Sequence, residues 1–158
     1  MKKIFVLSAL LILSFWQTDV KAQCPVSGWA SESGGVTGGG NAAPTVVTTH
    51  AALRAAVNNA AVKVIHVSGT IIFPAAGRLT LNNQTGKSII GLAGARLVST
   101  DLTSGGSGIM TLKSSSNILI KNITFEGPGA YDTDGNDNLT IDLCTRVWID
   151  HCTFEDGM

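Results

Sequence analysis

The carboxylates of this sequence are unevenly distributed along the chain. The stretch from Glu126 to the C terminus contains eight acidic residues and one basic residue, Arg146. The preceding stretch, from Gln23 to Phe125, contains seven basic residues and two acidic ones. Such a concentration of carboxylates belongs either to solvated loops or to a site for a hard cation, which prefers oxygen ligands. The sequence therefore indicates a candidate cation site in its acidic segment.

Asp150 and His151 are neighbouring residues whose types also suggest chemistry, because a carboxylate and an imidazole can share acid-base work. The pair lies, however, on the most strand-like segment of the chain, between apolar residues. A buried pair in such a place usually satisfies its own hydrogen bonds. We therefore interpret Asp150 and His151 as structural.

Three cysteines, Cys24, Cys144 and Cys152, bear on the compartment and on covalent links. In a secreted protein they can oxidise, but an odd count leaves at least one of them without a partner in this chain. Cys144 and Cys152 are equally consistent with buried small apolar residues. The pairing stays open.

The start of the chain has the features of a secretory signal peptide. A basic Met1-Lys2-Lys3 precedes the apolar run Ile4–Trp16, which is short for a membrane span. Small residues then flank a cleavage position, so we predict a signal peptide over residues 1–22 and a secreted mature chain, extracellular or periplasmic, over residues 23–158. An uncleaved anchor and a lipid on Cys24 are the alternatives.

A single short amphipathic helix is predicted in the mature chain. Thr49 precedes the alanine-rich segment from His50 to Asn59, as a helix cap would. Leu53, Ala56 and Val57 share one face of that segment at helical spacing. We expect this face to be buried.

Short strand-like segments make up most of the remaining chain, after an extended, loop-like entry over the glycine-rich residues 28–40. No second helical pattern lies between them, which argues against βαβ units and favours an all-β fold. The predicted strands are Val62–Val67, Thr70–Phe73, Leu79–Leu81, Ser88–Leu92, Arg96–Val98, Ile109–Leu112, Asn117–Phe125, Asn138–Leu143 and Arg146–Phe154.

The chain also repeats itself. Ser116–Glu126 aligns without a gap with Thr145–Glu155, 29 residues later, and a further step of 29 residues back from Ile118 reaches Ile89. Repeats of this length built from short strands predict a solenoid, whereas propeller repeats are longer and rich in hairpins. Because a solenoid exposes unpaired strand edges at its open end, we expect the helix to cap the N-terminal end.

Five segments, taken in order, carry a resemblance to a known family. They are Val46–Val57, Val64–Ile71, Ser88–Gly94, Asn117–Ile123 and Val147-Trp-Ile-Asp-His151. Together they resemble the capping helix, the first rungs and a signature segment of polysaccharide lyase family 1, the pectate lyases. The resemblance covers nearly all of the mature chain and implies the N-terminal portion of a right-handed parallel β-helix.

The resemblance implies a calcium-dependent enzyme that cleaves pectate, which is de-esterified polygalacturonate, by β-elimination. Calcium makes the charge that develops beside the substrate carboxylate tolerable. An arginine is the family's base, which implies an alkaline optimum because arginine is normally protonated. That arginine is expected beyond Met158, so we predict an incomplete chain that is inactive alone. Arg146 is interpreted as a surface residue.

The resemblance also implies calcium ligands in the acidic segment. The family's calcium aspartate stands fourteen positions before the signature histidine, which corresponds to Asp137. A second family aspartate falls on Gly135, so Asp134 takes its place if the loop bulges by one residue. Asp132 is a third candidate and Asp156 an additional one. We predict Asp137, Asp134 and Asp132 as the calcium site, with a solvated turn as the alternative.

Polygalacturonate or pectin is the expected partner, and the chain is expected to be a monomer that binds neither nucleic acid nor a membrane. Cleavage of methylated pectin without calcium is disfavoured, because a metal-free site for a polyanion should be basic. The remaining alternative comes from another class of protein, a non-catalytic β-helix that binds polysaccharide or serves as a surface module.

Overall fold

The computed structural model describes residues 28–102, 107–129 and 137–157 of the chain. Within these residues lie a 3-10 helix over Gly28–Gly34, one α-helix, α1, over His50–Asn58, and a series of short strands. The strands are β1 Pro44–Val47, β2 Val64–Val67, β3 Thr70–Phe73, β4 Leu79–Asn82, β5 Thr85–Gly91, β6 Arg96–Ser99, β7 Met110–Lys113, β8 Ser116–Lys121, β9 Thr124–Glu126, β10 Leu139–Asp142, β11 Thr145–Asp150 and β12 Thr153–Glu155.

The strands form three sheets in which every pairing is parallel. Sheet 1 has the order β1-β2-β5-β8-β11, sheet 2 the order β4-β7-β10, and sheet 3 the order β3-β6-β9-β12. Each coil of the chain therefore passes through sheet 1, then sheet 3, then sheet 2, and the next coil pairs with it strand by strand. This arrangement is the predicted parallel β-helix.

The pairing register confirms the repeat only over its last two coils. Ile118 pairs with Val147 and Phe125 with Phe154, which is an offset of 29 residues. The earlier step is wrong, because Ile118 pairs with Lys87, an offset of 31. The corner after β5 runs from Leu92 to Ala95 and is longer than the two-residue corner after β8. Coil length is therefore set by the corners, which sequence periodicity does not reveal.

Two segments predicted as single strands are each bent into two. The bend after β8 is at Asn122 and the bend after β11 is at His151, and both residues have a left-handed backbone, with φ of 56° and 50°. Asparagine adopts this conformation at little cost, whereas most other side chains avoid it. The sharp corners allow the strands on either side to belong to different sheets.

The interior of the coil is filled by apolar side chains stacked in register. Ile65, Ile89 and Ile120 occupy equivalent places in successive strands of sheet 1, and all three are fully buried. The rings of Phe125 and Phe154 stack with their centroids 5.1 Å apart. At the last described coil the stack is open, since Phe154 is 48% exposed whereas Phe125 is buried.

Helix α1 covers the opposite end of the stack, as predicted. Thr49 caps it by accepting a hydrogen bond from the Ala52 amide at 3.2 Å. Leu53, Ala56 and Val57 are buried and belong to the same core cluster as the strands. The helix therefore supplies the apolar surface that a further coil would otherwise provide.

Lys87 fastens this helix and was not predicted to do so. It is fully buried, and its Nζ donates hydrogen bonds to the carbonyl oxygens of Ala56, Val57 and Asn59 at 2.9–3.0 Å. These carbonyls lie at the C-terminal end of α1, where backbone acceptors lack partners and the helix dipole favours a cation. Burial, and secondarily the charge of Lys63, lowers the pKa of Lys87 to about 8.

The glycine-rich entry is a strap on the outer face of sheet 1, and its first half is a 3-10 helix and not the extended loop that was predicted. The Thr37 and Gly38 amides donate to Asn117 Oδ1 at 2.8 and 3.0 Å, and the Gly39 amide donates to Ser88 Oγ at 2.9 Å. A Cβ on Gly39 would overlap the backbone carbonyl of Lys63. Glycine thus allows the strap to lie against the sheet.

The cysteines differ from the apolar residues around them only slightly. Cys144 and Cys152 are free and half-buried, and both pack against the core cluster. Burial, the largest influence, raises the pKa of the Cys152 thiol. Their interpretation as small apolar residues is therefore favoured, while Cys24 lies outside the described residues.

Lys87→Met should lower the free energy of unfolding by about 1–3 kcal/mol at neutral pH, because buried carbonyls lose their donor. As pH rises from about 8 towards 10.5, the folded chain loses a proton that the unfolded chain keeps, so this group adds stability with rising pH. The variant lacks that gain. Urea unfolding should therefore show a gap between the two proteins that widens as pH rises.

The matched control is Lys113→Met, since Lys113 is exposed and only loosely paired. It should change stability by less than about 0.5 kcal/mol at any of these pH values. A gap for Lys87→Met that stays constant with pH would contradict the lowered pKa.

Gly39→Ala should destabilise the chain by about 2 kcal/mol or more, because the added Cβ meets backbone that cannot move without lifting the strap. Gly40→Ala is the comparison, since nothing lies within 4 Å of its Cβ and only its φ of 60° opposes the change. That variant should cost about 1 kcal/mol. Equal losses in thermal unfolding would show that the strap is not tightly seated.

Candidate cation site

Asp137 stands at the corner between sheets 3 and 2, two residues before β10 begins. Its side chain is exposed and forms no hydrogen bond or ion pair with any residue that the structure describes. Its carboxylate oxygens are therefore directed to solvent, where a cation can reach them. The other two predicted ligands, Asp134 and Asp132, lie outside the described residues.

The neighbouring Asn138 fixes this corner. It is buried, and its Nδ2 donates to the Glu155 carbonyl at 2.9 Å and to the Phe125 carbonyl at 3.5 Å. Its Oδ1 lies against Gly127, where any Cβ would overlap it. Asn138 thus joins two successive coils at the place where Asp137 leaves the fold.

Asp156 occupies the equivalent corner one coil further along. The Gly127 amide donates to the Glu155 carbonyl at 3.0 Å, and the Gly129 amide donates to the Asp156 carbonyl at 2.7 Å. These bonds stack the turn after β9 against the turn after β12. The exposed Asp156, whose φ is 47°, consequently stands at the same edge of the β-helix as Asp137.

The other acidic residues of the described C-terminal part are paired with cations. Arg96 Nη2 bridges Glu126 and Glu155 on the outer face of sheet 3, at 2.5 and 2.7 Å. The hydrogen bonds to Glu126 and Glu155 raise the pKa of Arg96. On sheet 2, Lys113 lies 3.9 Å from Asp142.

Asp150 belongs to a third set of contacts, on the outer face of sheet 1. Lys121 Nζ lies 2.7 Å from Asp150 Oδ2, and Asp150 Oδ1 lies 2.6 Å from His151 Nδ1. Burial alone would raise the pKa of Asp150, but Lys121 and His151 together hold it below its usual value. The structural interpretation of Asp150 fits these contacts, whereas a buried His151 is wrong, because its side chain is 55% exposed at the sharp corner.

The two remaining residues with a candidate function on sheet 1 are also peripheral to the acidic corner. Trp148 is half-buried and lies under Lys121 Nζ, which is 5.9 Å from the ring centroid. Arg146 is exposed at the start of β11, as predicted, with a left-handed φ of 53°. Neither lies on the corner between sheets 3 and 2.

The ion pairs leave two carboxylates uncompensated within residues 107–129 and 137–157, those of Asp137 and Asp156. Both stand at one edge of the fold, and a calcium ion takes six to eight oxygen ligands, including backbone carbonyls and waters. Residues that the structure describes provide no group of three potential metal-ligating side chains. A complete site at this corner would therefore need further oxygen ligands.

Comparison with known proteins agrees with the fold. A family model described as pectate lyase matches residues 3–158. The chain is 32% identical over 133 residues to probable pectate lyase B of Aspergillus terreus, which covers 82% of this chain and 35% of that protein. It is 28% identical over 167 residues to pectate lyase E of Dickeya chrysanthemi, covering 96% and 43% of the two chains.

Among solved structures, a Bacillus subtilis pectate lyase superposes with a TM-score of 0.64 at 23% identity, over 82% of this chain and 48% of that one. A pectate lyase from Paenibacillus sp. 0602 has the same TM-score at 22% identity. The chain spans less than half the length of the curated relatives given above. On the family match and the shared right-handed parallel β-helix, this chain belongs to the pectate lyase family.

Proposed function

We propose that this chain forms part of a secreted lyase that cleaves pectate by calcium-assisted β-elimination. The observation that carries the proposal is the pair of uncompensated carboxylates, Asp137 and Asp156, at one corner of the fold. The other described acids of the C-terminal part are neutralised by Arg96, Lys113 and Lys121. Membership of the pectate lyase family supports the same substrate and reaction.

The reaction needs a cation because the proton at C5 of a galacturonate is weakly acidic. Its removal places negative charge next to a carboxylate that is already negative. Bound calcium would supply the positive charge that offsets both. The fold contributes a corner whose backbone is held by Asn138, so that Asp137 need not reorganise when a cation arrives.

Asp137 is the proposed principal ligand, with Asp156 one coil away. Asp134 and Asp132 are proposed as further ligands, because carboxylates clustered in one loop suit a calcium site. All of these side chains bind through oxygen, which matches the preference of calcium. The donor set therefore fits the ion that the family resemblance implies.

The proton-abstracting arginine is proposed to be supplied by a segment beyond Met158. The arginines of the described coils suit this role poorly. Arg96 is paired with Glu126 and Glu155, which raise its pKa. Arg146 stands on sheet 1 and not at the acidic corner. An arginine base also implies that activity increases at alkaline pH.

Secretion is proposed from the signal-peptide features of residues 1–22. Within residues 28–102, 107–129 and 137–157, none of the helices has the length and apolar character needed to cross a bilayer.

The first test is formation of unsaturated uronate from polygalacturonate, followed by absorbance at alkaline pH, with calcium or with a chelator. It should be run on this chain and on the gene product extended past Met158. We expect activity in the extended protein that the chelator abolishes. If both proteins are inactive with calcium present, a polysaccharide-binding module becomes the better account.

Asp137→Asn should raise the calcium concentration for half-maximal activity of the extended protein by at least about tenfold, because a ligand loses its charge. Asp142→Asn is the matched control, since Asp142 lies on the same sheet and is already paired with Lys113. The control should stay within about twofold of the parent. Equal shifts in both variants would remove Asp137 from the site.

A further inference from the structure

A small cavity of about 210 Å³ lies at the other end of sheet 2, between helix α1 and strand β4. It is lined by Arg54, Asn58, Arg78, Leu79 and Thr80. The guanidinium, amide and hydroxyl groups of these side chains are all hydrogen-bond donors. No carboxylate lines it, and Arg54 forms no ion pair with any acid among the described residues. The cavity therefore has the chemistry of an anion site.

The arginine on the helix is held in place by the turn before β4. The Gly77 carbonyl accepts a hydrogen bond from Arg54 Nη2 at 3.3 Å, and it lies 2.7 Å from His50 Nε2. A Cβ on Gly77 would lie 2.8 Å from the ring of Pro74, so the turn is tight because it has glycine there. Docking of α1 on this turn brings Arg54 beside the residue that follows Gly77, which is Arg78.

The size of the cavity limits what it can hold. Pockets for drug-sized ligands usually measure about 300–1,000 Å³, so this one suits a single charged group or one sugar unit. Two guanidinium groups bind carboxylates well, because each offers a fork of N–H donors that matches the two oxygens. A carboxylate on a sugar is the ligand that this lining favours.

The position of the cavity connects it to the acidic corner. Thr80 pairs with Thr111, and Thr111 pairs with Thr140, so three hydroxyl-bearing side chains form a row on the outer face of sheet 2. Thr140 follows closely after Asp137 in the chain. Two strand spacings, roughly 10 Å, separate the ends of this row. A polyanionic chain held at the corner can therefore reach the cavity along sheet 2.

We infer that the cavity formed by Arg54, Arg78, Asn58 and Thr80 is a remote subsite that binds the carboxylate of one uronate unit directly, without calcium. The inference rests on the proposed function for its substrate class. It also gives the uneven charge of the sequence a use, because the basic and acidic ends of sheet 2 would grip different units of one polyanion. The arginines bind the unit by themselves, whereas the corner needs a cation.

The test is titration of the chain with trigalacturonate in a chelator at low salt, followed by amide chemical shifts in a ¹⁵N-labelled protein. Saturable shifts are expected at Gly77 and Thr80. Arg54→Gln should weaken the affinity at least about fivefold, because the guanidinium is lost. Arg146→Gln removes the same charge from the exposed face of sheet 1 and should leave the affinity within about 1.5-fold.

Two further measurements guard against misfolding and against non-specific attraction. Thr80→Val keeps the shape of an exposed strand residue and removes only the hydroxyl, so it should fold and bind at least about twofold more weakly. Fully methyl-esterified trigalacturonate carries no charge and should bind at least about tenfold more weakly than the free acid. Equal weakening by Arg54→Gln and Arg146→Gln, or equal affinity for the ester, would overturn the inference.

The subsite and the proposed function fail in different ways. If the extended gene product is an active lyase but trigalacturonate causes no shifts at Gly77 and Thr80 in the chelator, the subsite is wrong and the lyase stands. If the binding is present and depends on Arg54 while no lyase activity is found with calcium, the carboxylate subsite stands and the proposed reaction is wrong.

Discussion

Each coil of this protein depends on stacking its inward side chains on those of the coil before it. The isoleucines of sheet 1, from Ile65 through Ile89 to Ile120, and the phenylalanines of sheet 3 are buried only because an equivalent residue lies one strand spacing away. A coil cannot bury this surface alone. The N-terminal end needs a substitute for the missing neighbour, and α1 supplies it. Lys87 joins the two by satisfying the carbonyls at the end of the helix from inside the coil.

The same stacking brings distant residues together at the corners. Because coils repeat in register, the turn after β9 lies directly beside the turn after β12, and hydrogen bonds through Asn138 and Gly129 hold them. Asp137 and Asp156 thereby come to one edge although they stand far apart in sequence. Acids on the flat faces find cationic partners in neighbouring coils, as Glu126 does with Arg96. A free carboxylate is therefore a property of corners in this part of the fold.

Much of this architecture could be predicted from local sequence patterns. The repeat that matches Phe125 to Phe154 predicted the register of the last coils, and the threonine cap predicted the start of α1. The sequence could not show that Asn122 and His151 turn the chain, since their neighbours continue the apolar alternation. It also could not show where Lys87 points, because a lysine among strand residues usually lies outside. The cavity at Arg54 and Arg78 was missed for a related reason: the two arginines meet only through the docking of a helix on a turn.

The acidic corner as a calcium site is the central claim, and a crystal of the extended protein grown with calcium and an oligogalacturonate tests it most directly. The account predicts a metal peak about 2.3–2.6 Å from a carboxylate oxygen of Asp137, with other oxygen ligands around it. A peak of full occupancy elsewhere, with Asp137 facing solvent and no metal near it, would contradict the claim.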